Sequence, residues 1–531
     1  MQRIFLILLL LVPAFSLQAQ EKKKILLKSA EVLEYDREIN PNVQMLKGNV
    51  VFQHKETYMY CDSAYLYINQ NTMDAFGNIH IKASDTTNLY GEKLHYDGDT
   101  RIAVIEEDVE LIDNQIILRT DRLTYDLEEH TAYYLEGGVI EDPNNRLTST
   151  KGYYNSDSKE FFFKDDILVE GNNFNMVSDS LMYNTITEIV DFYGNTKIIS
   201  DSTTIYCHSG WYDTEKDITR LHGRAIMYNG SSVLEGDTLY YERRTGAGQA
   251  FRDVTFRDTT ENIMLVGQYG VFNEADSSVL ATDSAVFMNW EGADTLYLHG
   301  DTLYSYKDTL SNRNIRVHYN VRFFRSDMQG VCDSLYYSEN DSLMRMYVGP
   351  VLWSDSSQLS ADYMHFKVDR SEIRNLFMDE NAFIISHVEN ENYQQIKGKR
   401  MYGYFVDSEL DRLDVKGNAE TIYFIEDDNG TKTGINKSSC AEMKIHFTDR
   451  EVDLLTMIGS PDGTIYPYEK LAESSRKLAG FLWLEYLRPI SPEDVIRGMD
   501  SNNIKIGLNR LRGGGNQDDE TPPVEDAVPE Q

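Results

Sequence analysis

Residues 61–67 read CDSAYLY, and residues 332–338 read CDSLYYS. Between them YDGD (96–99), YDLEE (125–129), YNSDS (154–158), YNTIT (183–187) and YDTEK (212–216) each close a similar stretch. Taking the first residue of each phrase as an anchor, anchors fall at Ala30, Cys61, Gly91, Thr120, Ser149, Ser178, Cys207, Gly236 and Gly267, at intervals of 29–31 residues. The spacing then loosens through Gly300, Cys332, Ala361, Gly398 and Cys440, and an additional copy, TDSAVF at Thr282, breaks the count. Self-similarity at such a period marks a repeat architecture.

The residue types repeat with the anchor. Two positions before it stands a large aliphatic, as in Leu118, Leu147, Met176, Ile205 and Leu234; three after it, Leu or Ala, as in Leu123, Leu181 and Leu239. Five after it comes an aromatic ring, as in Tyr125, Tyr154, Tyr183, Tyr212 and Tyr241, and then Asp or Asn, which ends a strand by bonding nearby backbone. One position after the anchor is often an acid (Asp62, Asp121, Asp179). Side chains alternate along a strand, so positions −2 and 0 share one face and +3 and +5 the other. A bulge or corner at the acid would shift the phase and turn all four inward; the alternative is a strand buried on both faces. The inward set, the thirteen Leu, Met, Ile and Tyr residues just named, is the candidate lining of an interior slot.

About 16 residues after each anchor comes a second phrase, such as KGNVVF at Lys47, FGNIHI at Phe76 or DDILVE at Asp165. Its Gly or Asp pair followed by alternating apolar residues reads as a hairpin entry to another strand. Each unit thus supplies at least two strands, and no helix-length periodicity appears before residue 460. A unit this short buries its apolar face only by stacking on neighbours. One rung per unit, about 4.8 Å apart, makes an elongated body of roughly 60 Å or more around a continuous apolar interior.

Bulk composition narrows the function. Acidic residues outnumber basic ones 86 to 51, a net charge of −35, which disfavours nucleic acid and anionic membrane surfaces as partners. Residues 1–20 have the form of a secretory signal: Arg3, an apolar run from Ile4 to Val12, and a cleavage region near Ala19. No later run reaches the ~20 apolar residues of a membrane span, so an exported, soluble chain is expected. The four cysteines, Cys61, Cys207, Cys332 and Cys440, all occupy anchors several rungs apart, beyond the ~7 Å reach of a disulfide, and read as small buried residues. The 11 histidines form no ligand pairing, and YDGD and EDDNG (426–430) lack the acid spacing of a calcium loop, so no metal or other cofactor is expected. Nucleophile-elbow and phosphate-loop motifs are absent, and the recurring acid forms a ladder rather than a unique site; the chain does not read as an enzyme.

The repeat fades after Gly459. Residues 468–498 allow a helical stripe of Leu471, Leu478, Phe481, Leu482 and Tyr486, ended by Pro489. Such a helix would cap the open end of the array or dock on a partner or a membrane surface. Residues 511–531 are rich in Gly, Pro and acids and are expected to be a disordered tail.

LKSAEVLEYD (27–36) followed by LKGNVVF (46–52) resembles the opening of the OstA-like (organic-solvent-tolerance) domain, shared by the periplasmic lipopolysaccharide transport protein LptA and the N-terminal part of LptD. The alternating phrases extend the likeness over residues 25–460. The resemblance implies an all-β jelly-roll, a folded β-taco of two sheets; the repeat makes it elongated, and the segment 461–510 is expected to close it with a short helical cap. It implies a slot for the acyl chains of lipopolysaccharide, modules joined end to end by β-augmentation with other envelope lipid-transport proteins, and a periplasmic or outer-membrane-associated place. It brings no catalytic residues. The array exceeds one such module in length, and nothing after residue 460 supplies a membrane barrel. Two other readings stand beside this: a secreted β-helical protein that binds or degrades polysaccharide, and an envelope scaffold whose interior is solid and binds nothing.

Overall fold

The computed structural model describes residues 24–35, 42–172, 174–200, 202–291, 294–369, 372–406, 409–426, 431–448 and 451–496. The signal-like segment, the acidic tail and the cap residues beyond 496 lie outside them. The described chain is nearly all β, and every strand pairing given is antiparallel between near neighbours in sequence. A β-helix, whose coils pair in parallel, is thereby excluded for these residues. The chain divides into two compact units, Met1–Asp201 and Ser202–Gln531.

Each repeat is a long hairpin of two bent strands. Thr57–Tyr67 pairs with Val43–His54 on one side and Thr72–Lys82 on the other, and the meander continues into Thr87–Asp97. Because both strands of a repeat are rungs of the same ladder, one repeat advances two strand spacings, about 9.6 Å, twice the rise expected from the sequence.

Met59, Cys61, Ala64 and Leu66 are all buried while Tyr58, Tyr60, Asp62 and Tyr65 are exposed, so the face changes between positions 0 and +3. This is the phase shift expected at the acid. Its extra residue, however, belongs to the opposite strand. Register slips between Phe76 and Ile79, where Gly77 and Asn78 take left-handed backbone (φ +76° and +47°). The same left-handed pair recurs at Gly48–Asn49, Glu107–Asp108, Asp165–Asp166, Gly223–Arg224 and Gly417–Asn418. The second phrase is therefore a bend inside one strand rather than a turn between two. Thr282 falls at the same feature: Asp283 and Ser284 carry φ +58° and +63°, so TDSAVF is a bend of the partner strand and not an extra anchor.

The acid spans the bend. Asp62 Oδ2 accepts from Asn78 Nδ2 at 2.8 Å, Asp179 Oδ2 from the Asn195 amide at 2.9 Å, and Asp301 Oδ2 from Asn320 Nδ2 at 2.8 Å. Anchors with a hydroxyl or thiol donate to the carbonyl two residues on: Ser149 to Lys151 O (3.0 Å), Ser178 to Ser180 O (3.1 Å), Cys332 to Ser334 O (3.3 Å) and Cys440 to Glu442 O (3.0 Å). A small side chain with one weak donor suits this corner, which explains why Cys, Ser and Thr interchange there. All four cysteines are free and buried, and burial first, with Asp62 second, pushes the Cys61 thiol up to about 12. The true hairpin turns follow the +6 residue, whose carbonyl-bearing side chain accepts two backbone amides, as Asp97 does from Asp99 and Thr100 and Asn184 from Ile186 and Thr187.

Residues 468–496 carry the short helical segment expected after the repeats, but not as one amphipathic stripe. They hold three single 3-10 turns and one five-residue helix, Pro492–Ile496, in place of one amphipathic helix. Leu478 is buried, but Tyr486 is 43% exposed, so the proposed stripe does not exist as one face. The segment is a strap, laid across the outer face of the second unit's later strands, where it covers Val331, Val351 and Trp353 and then Phe383, Tyr393, Ile422 and Phe424. Three buried glutamines hold it. Gln358 donates to Leu482 O (2.8 Å) and accepts from Leu484 N (2.6 Å); Gln395 donates to Arg476 O (2.8 Å) and accepts from Leu478 N (2.8 Å); Gln329 accepts from Arg488 Nε (2.8 Å).

Candidate functional site

Bending each rung gives every unit two walls, one carrying positions −2 and 0 (the anchor wall) and one carrying +3 and +5 (the tyrosine wall). Cross-strand pairing turns the thirteen candidate residues into ladders. In the first unit Leu118 pairs with Ile140, Ile140 with Leu147, Leu147 with Val169 and Val169 with Met176 on the anchor wall. On the tyrosine wall Tyr125 pairs with Ala132, Ala132 with Tyr154, Tyr154 with Phe161 and Phe161 with Tyr183. Leu123 and Leu181 stand beside Ile105 and Phe163. In the second unit Met227 lies between Ile205 and Leu234, Thr219 between Tyr212 and Tyr241, and Leu239 beside Leu221. Ten of the thirteen are buried, and Tyr183, Tyr212 and Tyr241 are half-buried.

The first unit is packed and its mouth is pinned. Phe161, Phe163 and Phe192 are almost completely enclosed. Tyrosine-wall hydroxyls reach polar groups at the tips of the anchor wall: Tyr96 meets His54 Nδ1 at 2.6 Å, and Tyr154 donates to Asp113, which also takes Lys159 Nζ at 2.6 Å. Burial alone would raise the Asp113 carboxyl; hydrogen bonds from Lys159, Tyr154 and Thr86 outweigh it and hold the group below its ordinary range.

The second unit contains a cavity of about 700 Å³ between its walls. Its floor is apolar, including Ile263, Phe287, Leu298, Ile315, Phe323, Leu335 and Phe366, and its rim is charged. Across the rim Glu261, from the anchor-wall tip, pairs with Lys307 (3.2 Å) and Arg313 of the tyrosine-wall tip. Farther along, Arg325 grips Asp327 at 2.6 and 2.7 Å and Glu339 accepts from the Arg313 amide. None of the thirteen candidates lines this cavity. Later copies of the same positions do: Leu298 at −2, Leu335 at +3, Tyr337 and Phe366 at +5. The available signal was the loosened spacing after Gly267 together with charged residues at the hairpin tips. Among the described residues no group of three His, Cys, Asp or Glu side chains is placed to hold a metal, and no helix is long and apolar enough to cross a membrane.

These features define a β-walled protein in which bent strands of one antiparallel sheet enclose an apolar interior within each unit. The model of the OstA-like protein family matches residues 22–179 and 168–280, and this part of the chain belongs to that family. No curated protein matches the chain. Apart from Glu261 and Ile263, the cavity's lining comes from residues beyond the family match.

Proposed function

We propose that this protein binds the acyl chains of an envelope lipid of the lipopolysaccharide class and passes them along its interior, as a periplasmic bridge for outer-membrane assembly. The cavity of about 700 Å³ in the second unit carries this reading. Its size falls in the range of small-molecule sites, its floor offers hydrocarbon a dry surface, and its charged rim keeps the mouth wet. The thirteen candidate residues would form the route's walls where the interior is now filled, with side chains parting as a chain enters.

The sheet ends favour end-to-end partners. In the first repeat Leu33 and Tyr35 occupy +3 and +5 yet remain 49% and 46% exposed, because among the described residues their strand pairs on one side only. In the second unit Asp462–Pro467 forms an exposed edge, with Ile465 at 66%. Unpaired edges of this kind accept another strand, here from other envelope lipid-transport proteins. A solid, non-binding scaffold is the second reading, favoured by the close packing around Phe161 and Phe163.

A photoreactive residue placed at Phe323 or at Leu181 in the exported chain tests both. Lipopolysaccharide adducts at Phe323 are expected first, at the existing cavity. Their absence from every inward position tried would leave the scaffold.

A further inference from the structure

The outer face of the second unit's tyrosine wall departs from the rest of this acidic chain. Strands Leu343–Tyr347, Tyr363–Asp369, Glu372–Glu389 and Asn392–Val406 lie side by side there. Their outward rings form one ladder: Tyr347 to Tyr363 (5.3 Å between centroids), Tyr363 to His365 (5.6 Å), His365 to Phe377 (4.8 Å) and Phe377 to Tyr402 (4.9 Å). A groove of about 380 Å³ runs along it, bordered by Lys367, Asn375 and Tyr404. Lys416 Nζ sits 5.3 Å from the Tyr402 ring, and the Arg412 guanidinium lies 3.9 Å from that of Tyr404. The strap, which covers the anchor wall, leaves this face open.

Two further observations point to a ligand. Lys367, Lys416 and Lys444 are exposed on this face and have no acidic partner among the described residues, in a chain of net charge −35. His365 Nδ1 is enclosed without a hydrogen bond, and Arg412 Nε and Asp414 Oδ1, 3.2 Å apart, form no aligned one. Half-exposed ring faces, planar polar groups between them and unpaired cations along the border are what a chain of acidic sugars requires. The C–H faces of pyranose rings stack on aromatic rings, hydroxyls bond the planar groups, and carboxylates or phosphates meet the lysines. The lysines without acidic partners favour an acidic chain over a neutral one, and the ring faces favour sugars over a peptide polyanion, the distinction the controls below read.

We propose that the Tyr347–Tyr402 ladder with its lysines binds an acidic oligosaccharide, as a glycan strand free of lipid. From Tyr347 to Lys416 the surface spans four strand spacings, roughly 19 Å, room for several sugar rings. The cavity behind the same wall is a separate site, reached from the rim, so this binding needs no acyl chain.

Titration calorimetry of the exported chain with a galacturonate hexamer tests the proposal, with maltohexaose and polyglutamate as controls. The hexamer is expected to bind, more weakly at high salt, and the neutral sugar and the peptide polyanion to bind less. Tyr402→Ala, and separately the exposed pair Lys367→Glu with Lys416→Glu, are expected to weaken binding by about tenfold or more, with the circular dichroism spectrum unchanged. Equal binding of polyglutamate would reduce the face to a bare charge effect and overturn the proposal. So would absence of hexamer binding, or full binding by the charge-reversed pair. Because the hexamer carries no acyl chain, its failure here leaves the lipid reading intact, and lipid adducts at Phe323 are scored independently.

Discussion

Gln358 offers the sharpest test of how the strap is held. Its side chain is fully buried, and its amide replaces a stretch of backbone ladder, donating to Leu482 O at 2.8 Å and accepting from Leu484 N at 2.6 Å. In Gln358→Leu the volume is nearly kept but both backbone groups lose their partner in a dry place. An unsatisfied buried group costs about 1–3 kcal/mol, so two cost roughly 2–4 kcal/mol once the strap relaxes in part. Local opening of the strap becomes easier by that amount, and at 1.4 kcal/mol per decade the Leu484 amide exchanges roughly 30- to 700-fold faster. Hydrogen exchange resolved to residues 476–490 reads this directly. Gln358→Glu is the milder change: in this dry place the carboxyl is neutral, accepts from Leu484 and donates to the Leu482 carbonyl, so protection at Leu484 falls less than in the Leu variant. If Leu484 exchange were unchanged in Gln358→Leu, the strap would be held by its apolar contacts, and the glutamine ladder would be incidental.

Other consequences are equally direct. At Gly77, φ is +76° and a Cβ would stand 2.6 Å from Asp62 Oδ2, so Gly77→Ala should lower unfolding stability by about 1–3 kcal/mol; adding Asp62→Ala should restore the steric share in denaturant titrations. The depressed Asp113 carboxyl stabilises the first unit at pH values above the ordinary carboxylate pKa, and the contribution vanishes as pH falls through the lowered folded value. Asp113→Asn should therefore lose stability at neutral pH and flatten the acid limb, measured by thermal melts from pH 7 to pH 2. Cys332 is fully enclosed with its thiol raised by burial; alkylation of the native protein should leave it unmodified while denatured protein reacts at all four cysteines, read by mass spectrometry.

The sequence made the repeat legible because each position answers to one local demand. Small anchors, acids and Asn or Asp at +6 each satisfy backbone groups within their own hairpin or the next strand, and such demands recur with the period. The phase shift was readable for the same reason, since Met59 and Leu66 cannot both face inward on a regular strand. The location of the bulge was misplaced because Gly-Asn serves equally as a hairpin turn and as a left-handed pair inside a strand. The strap was misread because Leu471, Leu478 and Leu482 fit a helical period by chance, while what positions them is a partner in distant sequence. Its signal was a glutamine three residues before the anchors Cys332, Ala361 and Gly398, visible only when the repeats are aligned on those anchors. The cavity depends on what the walls fail to fill, a property of opposed side chains that no single strand encodes.

One repeat grammar thus yields both a solid interior and a hollow one, and the difference lies at the hairpin tips and in ring size. Where +5 carries a tyrosine opposite a polar tip residue, as Tyr96 opposite His54 and Tyr154 opposite Asp113, a hydroxyl bond draws the walls together and rings such as Phe161 and Phe163 occupy the space. Where the tips carry Glu261, Lys307, Arg313 and Arg325 instead, partly exposed ions line the mouth, and Glu261 meets Lys307 and Arg313 across it. An ion pair at a rim still reached by water is weakened by it, whereas a buried hydroxyl bond to a carboxylate resists opening. The walls around Phe323 are consequently held together less firmly than those between Tyr125 and Tyr183, and under the lipid reading proposed above an entering chain would meet its smaller barrier at Phe323.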